Sequence, residues 1–413
     1  MENNKNKQLH NERLQRIEDA VALKEPDRVP FIYSSIFWSA KYAGITFREA
    51  MYDIDKYVDA TRQVLELLQP DAFSVLLFPL GVAVEGVDFK PMRWPGHGAG
   101  ENTTFQYLDQ EFMTADEYDD YILDPTGFYL QKYLPRIAGG FKMFEHFPDF
   151  PANMEWDVVG AISAFANPEL QEGLKHLFKV GEETAKCYAR IGKFAQQMNE
   201  AGYPLAAGSF CKAPFDQFID TLRGSKGGIL DMYQQKDKLL EAMAKARVLL
   251  LKNVKANTER SHCRYVFMPL HWCLDGFMSP EQFNTFYWPE LKNVILSLIE
   301  MDLVPVVFWE GNCSTRLETI ADIPPGKVVY RFEATDMFRA KEVLGDVACL
   351  RGNVPASILN TGTPDDVDSY CRDLIRKVGK GGGFILDGAT GIPDEAKVEN
   401  VIAMAESVHK YSS

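Results

Sequence analysis

The amino-acid sequence predicts a (β/α)8 barrel, a TIM barrel, with an inserted lobe between its second and third strands. Eight short segments with strand preference alternate with segments of helical spacing along the 413 residues. Several strand segments are apolar throughout, which is typical of parallel strands covered by helices on both faces. An open doubly wound sheet is the alternative. The GxGxxG fingerprint of dinucleotide-binding sheets is absent, and this favours the barrel.

The predicted elements follow one another along the whole chain. The first helix is predicted over residues 12–23, where Leu14, Ile17 and Val21 share one face before Pro26 ends the pattern. Residues 47–68 have the spacing of one or two helices, and residues 173–199 that of a single long helix. The predicted strands cover residues 29–33, 72–78, 204–210, 264–270, 303–309, 327–332, 347–351 and 383–386.

Two later helices have clear start signals. Ser279 precedes Pro280, and Gln282 stands three positions after it, which predicts a capping box with proline at the first helical position. The segment from Thr363 to Asp366 begins another helix in the same way. Residues 88–111 have the composition of loops and hairpins. We therefore predict a disordered polar tail at 1–11, one barrel domain at 12–413, and an insertion at about 79–203.

Composition restricts the classes of partner. The formal charge of −14, from 44 basic and 58 acidic side chains, argues against nucleic acid and anionic membrane surfaces, which require a basic face. The seven cysteines include no CxxC pair, so a disulfide framework is not expected. No apolar run approaches the roughly 20 residues that span a bilayer. We expect a soluble cytoplasmic protein that acts on a small molecule.

Glu310 is the first candidate for chemistry. It ends the apolar strand segment 304–309, and Gly311 and Asn312 break the strand immediately after it. In a barrel of parallel strands the active groups stand at the carboxyl ends of the strands. We therefore predict a catalytic role for Glu310. The alternative is an acid that caps a helix or forms an ion pair at the strand exit.

His271 and Asp275 follow the fourth predicted strand. An imidazole can bind a metal or move protons, and a nearby carboxylate can fix its tautomer. Cys273 completes an H-x-C spacing that is compatible with zinc, although two ligands alone do not make a zinc site. We predict that His271, Asp275 and Glu310 are catalytic, and that His271 and Glu310 could ligate a metal. The alternative is a histidine that is hydrogen-bonded to the backbone.

Substrate contacts are predicted from other side chains near strand ends. The aromatic stretch 31–38 could line a pocket for an apolar or planar substrate, or could simply belong to the core. Polar side chains at the remaining strand exits could bind polar parts of the substrate. The predicted substrate-binding residues are Phe37, Trp38, Lys212, Trp309, Asn353 and Asp387.

Several motifs follow one another along the chain: Pro26-Asp-Arg-Val-Pro30, Phe210-Cys-Lys-Ala-Pro-Phe215, Gly352-Asn-Val-Pro355 and Gly391-Ile-Pro393. Taken in order, these motifs make the chain resemble the uroporphyrinogen decarboxylase superfamily. The resemblance extends from about residue 12 to 410, and it depends on the order and spacing of these pieces. It implies a (β/α)8 barrel. It also implies either decarboxylation of a tetrapyrrole or methyl transfer linked to a corrinoid.

The chain departs from both branches of that superfamily. Decarboxylases resembling it carry arginines after the first strand and an aspartate near the end of the second. Residues 34–41 contain no arginine and residues 78–81 no aspartate, so a polycarboxylate would lack its partners there. The methyltransferases carry a His-x-Cys-Gly motif and a later cysteine that hold zinc. Residues 308–311 and 389–391 lack those ligands, so zinc would need a different set.

The resemblance places the chain in a divergent branch near the halomethane-type corrinoid methyltransferases, in which glutamate replaces the cysteine. The first functional prediction is methyl transfer between a small methylated compound and a corrinoid on a partner protein, as in anaerobic one-carbon metabolism. Glu310 and His271 would polarise the leaving atom, and Asp275 would orient the histidine. The second is decarboxylation of a tetrapyrrole or a smaller acid. The third is a non-catalytic corrinoid-binding barrel. The family resemblance also implies a homodimer.

Overall fold

The computed structural model describes residues 2–148 and 154–411. Parallel strands at its centre form a closed ring, and helices and turns connect them. The strands are β1 (Ile32–Tyr33), β2 (Ala72–Phe73), β3 (Met92–Pro95), β4 (Gly98–Ala99), β5 (Gln106–Tyr107), β6 (Ser209–Phe210), β7 (Tyr265–Leu270), β8 (Val304–Trp309), β9 (Val329–Phe332), β10 (Cys349–Val354) and β11 (Phe384–Gly388).

The ring closes through isolated bridges. β1 pairs with β2, and β6 to β11 form one continuous parallel sheet in chain order. Phe31 bridges to Leu386 of β11, and Ser35 bridges to Ile392. Phe73 of β2 bridges to Leu205 just before β6, so the two pieces are joined on both sides. The eight strands of this ring occupy the eight predicted segments. The predicted (β/α)8 barrel is confirmed.

Helices surround the ring and build the lobe. Within the described residues, no helix has both the length and the apolar character that crossing a membrane requires. The helices are α1 (Glu2–Val21), α2 (Trp38–Tyr42), α3 (Phe47–Tyr52), α4 (Ile54–Leu68), α5 (Gly81–Gly86), α6 (Tyr118–Leu123), α7 (Pro125–Phe128), α8 (Leu134–Ile137), α9 (Glu155–Ala161), α10 (Pro168–Glu200), α11 (Pro214–Phe218), α12 (Gly224–Gln234), α13 (Lys236–Ser261), α14 (Pro280–Gln282), α15 (Trp288–Glu300), α16 (Leu317–Ile320), α17 (Met337–Leu344), α18 (Ala356–Thr361), α19 (Pro364–Asp373) and α20 (Val398–Lys410). Single π-helical turns follow α7, α11, α14 and α19, at Tyr129–Tyr133, Ile219–Arg223, Phe283–Tyr287 and Leu374–Val378.

The amino-terminal segment is helical, so the predicted disordered tail at 1–11 is wrong for the residues from 2 onward. α1 begins at Glu2 and runs without a break to Val21. His10 Nε2 lies 2.7 Å from Asn199 Oδ1 at the end of α10, and Arg13 donates to the Gly202 carbonyl oxygen at 2.7 Å. These contacts hold the polar segment against the barrel, and sequence spacing alone does not reveal them.

Alternation along the strands separates a floor layer from the mouth of the barrel. Successive side chains on a strand point to opposite faces, so every second residue points into the ring. One inward layer is apolar and, together with Ile17 of α1, closes the amino-terminal end. The residues of this layer include Ile32, Ala72, Ala206, Tyr265, Val306, Val329, Cys349 and Ile385. Polar groups at the strands' carboxyl ends therefore surround the opposite mouth.

A lobe lies between β2 and β6, where the sequence predicts an insertion. It contains α5 to α9 and a small sheet in which β3 pairs with both β4 and β5. The last part of α10 belongs to the barrel wall, because Phe194 packs edge-on against Phe73 of β2 at a ring distance of 6.2 Å. Gln217 of α11 donates to the Tyr129 hydroxyl of the lobe at 2.8 Å, and the Phe112 backbone N–H donates to the Leu222 carbonyl oxygen at 2.7 Å. The lobe is therefore attached to the segment that follows β6.

Candidate active site at the barrel mouth

His271 and Glu310 face each other across neighbouring strands. Leu270 of β7 stands in register with Trp309 of β8, so the next residue on each strand reaches the mouth at the same height. His271 Nε2 lies 3.6 Å from Glu310 Oε1, and both side chains are 35% exposed. The structure thus brings together two predicted site residues that are far apart in the sequence, and both are partly exposed at the mouth.

Asp220 fixes the histidine from its other side. Asp220 Oδ2 lies 2.7 Å from His271 Nδ1, and Lys212 Nζ lies 2.8 Å from the same oxygen. Trp272 Nε1 donates to Asp220 Oδ1 at 2.7 Å. A carboxylate that holds one ring nitrogen directs the other nitrogen toward the site. Lys212, predicted to bind substrate, forms an ion pair with Asp220 in the structure.

Asp275 does not orient His271, and that prediction is wrong. Its carboxylate accepts from the Thr315 backbone N–H at 3.0 Å and from the Thr315 hydroxyl at 2.6 Å. Its backbone N–H donates to the Asn312 carbonyl oxygen at 2.9 Å. The chain turns after β7, so Asp275 points to the loop that follows Glu310. Asp275 consequently holds that loop in place.

Asp216 supports the same histidine from beneath, and sequence analysis missed both Asp216 and Asp220. Asp216 Oδ2 accepts from the His271 backbone N–H at 3.0 Å and from the Tyr287 hydroxyl at 2.9 Å. Asp216 and Asp220 stand four residues apart on α11 and the π-helical turn after it, so both point toward β7. The sequence could have indicated these two acids, because they are four residues apart in the helical segment that directly follows a predicted strand.

Burial and charge shift the pKa values of these groups in opposite directions. Burial alone would lower the pKa of His271, but the hydrogen bond to Asp220 and the charges of Asp220, Asp216 and Glu310 raise it to about 9. Burial would raise the pKa of Asp220, but His271 and Lys212 lower it to about 2. Burial raises the pKa of Glu310 above its usual value, with the His271 charge opposing it. The mouth therefore presents an imidazolium and a carboxyl group that holds its proton more tightly than usual.

The Asp220→Asn variant tests this electrostatic arrangement. Loss of the carboxylate removes the main cause of the raised pKa of His271, so we expect that pKa to fall toward its ordinary value. If protonated His271 is needed for turnover, the high-pH side of the pH–rate profile will move to lower pH. The pH–rate profile of Asp275→Asn serves as the control. If Asp220→Asn and the wild type have identical profiles, the proposed electrostatic arrangement is wrong.

Two predicted aromatic contacts belong to the core. Phe37 stacks between Phe47 and Phe78, with ring distances of 4.7 Å and 4.6 Å. Trp38 is buried, and its Nε1 donates to the Ala396 carbonyl oxygen at 2.9 Å. Both side chains are fully buried, so neither ring is exposed at the mouth. The substrate-binding prediction for Phe37 and Trp38 is wrong, and the alternative that this stretch forms core is correct.

Trp309 also faces away from the cavity. Phe308 and Glu310 point into the barrel, so the residue between them must point outward to the helices. Trp309 is fully buried there and packs edge-on against Tyr330 at a ring distance of 5.5 Å. The prediction that Trp309 binds substrate is therefore wrong.

Asn353 uses its side chain within the protein. Its Nδ2 donates to the carbonyl oxygens of Glu333 at 3.1 Å and Thr335 at 3.0 Å. The Tyr370 hydroxyl donates to its Oδ1 at 3.1 Å. Both Nδ2 hydrogens have acceptors, so Asn353 orders the loop after β9 instead of binding substrate as predicted.

Asp387 is buried inside the barrel and is held by arginine. Arg351 Nε donates to its Oδ2 at 2.9 Å, and the Ser34 hydroxyl lies 3.2 Å from the same oxygen. The Gly388 backbone N–H donates to Asp387 Oδ1 at 2.7 Å. These protein partners, together with complete burial, remove Asp387 from direct contact with substrate. The predicted binding role is wrong.

Two arginines inside the barrel were not anticipated from the sequence. Arg331 on β9 and Arg351 on β10 stand at inward positions and are both 3% exposed. The Arg331 guanidinium lies over the Phe308 ring at 4.4 Å, and its Nη2 atom is 3.5 Å from Asp387 Oδ2. The sequence could have indicated Arg331, because it is a charged residue at an inward position of an otherwise apolar strand. The barrel interior therefore contains guanidinium groups, although the first strand supplies none.

The donor set at the mouth does not fit a catalytic zinc ion. Such an ion takes three protein ligands, and the described part of the chain contains no group of three or more His, Cys, Asp or Glu side chains arranged to hold a metal. The sulfur atoms of Cys273 and Cys313 lie 3.8 Å apart in the buried core, and burial raises the pKa of the Cys273 thiol. The predicted His271–Glu310 metal pair thus lacks a third ligand.

A closed barrel with a charged cluster at the carboxyl ends of its strands is the architecture of the (β/α)8 enzymes. The model of one family, uroporphyrinogen decarboxylase (URO-D), matches residues 162–411. The chain belongs to the uroporphyrinogen decarboxylase family, as the sequence motifs predicted.

Named relatives match only parts of the chain. A uroporphyrinogen decarboxylase of Coxiella burnetii is 24% identical over 184 residues, which is 44% of this chain and 50% of that protein. One from Carboxydothermus hydrogenoformans is 29% identical over 139 residues, 33% of this chain and 39% of that protein. The chain thus spans at most about half the length of these relatives. Among solved structures, a methyltransferase from Methanosarcina mazei superposes with a TM-score of 0.60 at 16% identity, covering 96% of this chain and 98% of the other. That likeness shows the shared fold.

Proposed function

We propose that this protein is an enzyme that moves a methyl group between a small methylated substrate and a corrinoid carried on a partner protein. The observation that carries the proposal is the contact of His271 with Glu310, 3.6 Å apart at the mouth. A protonated imidazole beside an acid suits a reaction in which a leaving atom must be neutralised. The likeness in fold to a methyltransferase over nearly the whole chain supports the same choice.

The proposed step needs one proton from this pair. The bond between the methyl carbon and its heteroatom breaks, and the heteroatom keeps the electron pair of that bond. Glu310 or His271 gives a proton to that atom, so the product leaves as a neutral group. Asp220 keeps His271 in position with its Nε2 toward the substrate, and Asp216 holds the backbone of the same residue.

The corrinoid would supply the cobalt nucleophile that accepts the methyl group. Residues at the rim fit contact with a large planar ring, since Phe210 is 51% exposed and Tyr107 is 69% exposed. Both lie around the opening, because Phe210 ends β6 and Tyr107 is close to Asp220. Flat aromatic side chains of this kind provide large contact area at low conformational cost.

The experiment is to mix the purified protein with cob(I)alamin and a panel of methylated ethers, amines and thioethers. Methyl transfer is recorded as the change of the corrinoid absorption spectrum over time. We expect turnover with at least one class of donor, and loss of that turnover in the Glu310→Gln variant. Corrinoid binding without turnover across the panel would contradict the proposal and would support the non-catalytic alternative.

Decarboxylation is the second candidate, because the named sequence relatives are uroporphyrinogen decarboxylases. Loss of CO2 leaves a carbanion, and the same His271–Glu310 pair could protonate it. Arg331 offers a positive charge that such an acid would need. Release of CO2 from uroporphyrinogen or a smaller acid, with no change in added corrinoid, would favour this reaction over methyl transfer.

A further inference from the structure

Asp216 is a fully buried acid with one unpaired oxygen atom. Its Oδ2 atom accepts from the His271 backbone N–H at 3.0 Å and from the Tyr287 hydroxyl at 2.9 Å. Its Oδ1 atom is also buried, and it has no hydrogen-bond partner among the described residues. The negative charge of a carboxylate is shared by both oxygens, so an ionised Asp216 would leave part of its charge unsolvated. This environment favours the protonated acid.

A second acid one helical turn away adds to this preference. Asp220 stands four residues after Asp216, and both carboxyl groups contact His271. Two carboxylates that are close together in a buried site oppose each other's ionisation, so the pair keeps one proton over a wide pH range. Asp220 is the acid that ionises, because its Oδ2 atom lies 2.7 Å from His271 Nδ1 and 2.8 Å from Lys212 Nζ. The proton of the pair therefore stays on Asp216.

Asp216 and His271 influence each other's protonation. Burial and the charge of Asp220 raise the pKa of Asp216 to about 7, while the His271 charge and the two hydrogen bonds to Oδ2 oppose this rise. The charge of Asp216 in turn raises the pKa of His271. When Asp216 is protonated, Asp220 alone faces the two cations His271 and Lys212. When Asp216 ionises, two acids balance two cations, and the imidazolium becomes more stable.

The remaining titratable groups that interact with Asp216 in the described part of the chain keep their protons near neutral pH. Burial raises the pKa of the Tyr287 hydroxyl and of the Cys273 thiol above their usual alkaline values, so both groups are neutral. α13 and α15 also pack against α11. The charged side chains that join these two helices, Arg247 and Glu290, pair with each other at 2.8 Å. Asp216 is therefore the group in this cluster that changes its charge near neutral pH.

We propose that Asp216 is a positioning residue that works as a pH switch beneath His271. Under mildly acidic conditions Asp216 carries a proton, and Asp220 supplies the negative charge next to the imidazole ring. Near neutral pH Asp216 releases its proton to solvent, and the added negative charge keeps His271 in its protonated, acidic form. Asp220 and Tyr287 both stand in π-helical turns, which are frequent at functional sites. The inference rests on the proposed function only for the use of protonated His271 as an acid.

The switch is measured as the titration of the His271 imidazole signals by NMR, in histidine-labelled protein without substrate or corrinoid. In the wild type we expect a first step near neutral pH, from the ionisation of Asp216, and a larger step near the His271 pKa of about 9. Asp216→Asn should abolish the first step and lower the pKa of His271. This decrease should be smaller than in Asp220→Asn, because Asp220 holds the ring directly. Glu310→Gln is the control for the other acid near the ring, and it should retain the first step.

A second variant keeps the test decisive if Asp216→Asn does not fold. Tyr287→Phe removes the hydroxyl that stabilises the ionised Asp216, so the first step should move to higher pH. The ring keeps its packing against Phe215, at a ring distance of 5.7 Å. Tyr330→Phe is the matched control, because its hydroxyl is also buried and donates to the Ile320 carbonyl oxygen instead. That variant should leave the first step where it is in the wild type.

Two results would overturn the inference. One is a wild-type titration without a step near neutral pH. The other is a first step that stays in place in folded Asp216→Asn or in Tyr287→Phe. These measurements need no methyl donor, so the absence of methyl transfer together with a two-step titration removes the proposed reaction and keeps the switch. Methyl transfer by a protein whose His271 titrates in one step removes the switch and keeps the reaction.

Discussion

Replacing Glu310 with glutamine is expected to lower kcat by about 10²- to 10⁴-fold, the usual contribution of a positioned general acid. Glutamine keeps the size of the side chain and its 3.6 Å approach to His271, but it cannot donate an acidic proton to the leaving atom. Because burial raises the pKa of Glu310, this group holds its proton to higher pH than an exposed glutamate. The measurement is kcat at saturating substrate and corrinoid.

The matched control for this variant is Glu318→Gln. Glu318 is an exposed acid in α16, paired with Arg339 at 2.7 Å. A surface pair of this kind contributes little to stability or turnover, so its kcat should equal that of wild type. A Glu310→Gln enzyme that retains more than about one third of the wild-type kcat would remove Glu310 from the chemical step.

Replacing Asp387 with leucine is expected to destabilise the fold by about 3–5 kcal/mol, the cost of breaking a buried ion pair from one side. Arg351 would lose its 2.7 Å partner, and Arg331 would lose its weaker one at 3.5 Å, inside a barrel that excludes water. The free energy of unfolding, measured in urea, reports this loss. If Asp387 instead bound substrate, the variant would weaken substrate binding and leave the unfolding free energy unchanged.

A second substitution separates the ion pair from the packing. In Arg351→Met with Asp387→Leu, the two charges of the close pair are replaced by apolar groups, so most of the lost stability should return. Arg331 still has its carbonyl contact with Gly388 in that variant. A double variant that is as unstable as Asp387→Leu alone would show that the loss comes from the shape of the leucine and not from the unpaired charge.

Local patterns in the sequence were sufficient for the barrel. The apolar run before Glu310 gave β8 within one residue, and the capping signal at Ser279 begins a helix with both capping hydrogen bonds formed. These features depend on neighbours within a few residues, so they can be read without tertiary information. The pairing of His271 with Glu310 followed from the barrel geometry, since the ends of adjacent parallel strands meet at one mouth.

The partners of the site depend on contacts between distant segments. Asp275 is closer to His271 in the sequence than Asp220, but the turn after β7 takes Asp275 away and α11 brings Asp220 to the ring nitrogen. The sequence could have predicted that Trp309 points outward, because it stands between two residues of the same strand that point inward. The same alternation would have placed Arg331 inside the barrel. Hydrogen bonds that saturate Asn353 could be found only from the folded chain.

The titration of His271 is the most direct measurement on the acid pair at the mouth. With seven histidines in the chain, histidine-labelled protein and the His271→Asn variant suffice to assign its imidazole signals by NMR. We predict a pKa of about 9 in the wild type, lower in Glu310→Gln, and near the ordinary value in Asp220→Asn. A wild-type pKa at or below about 6.5, unchanged in both variants, would contradict the proposed acid pair.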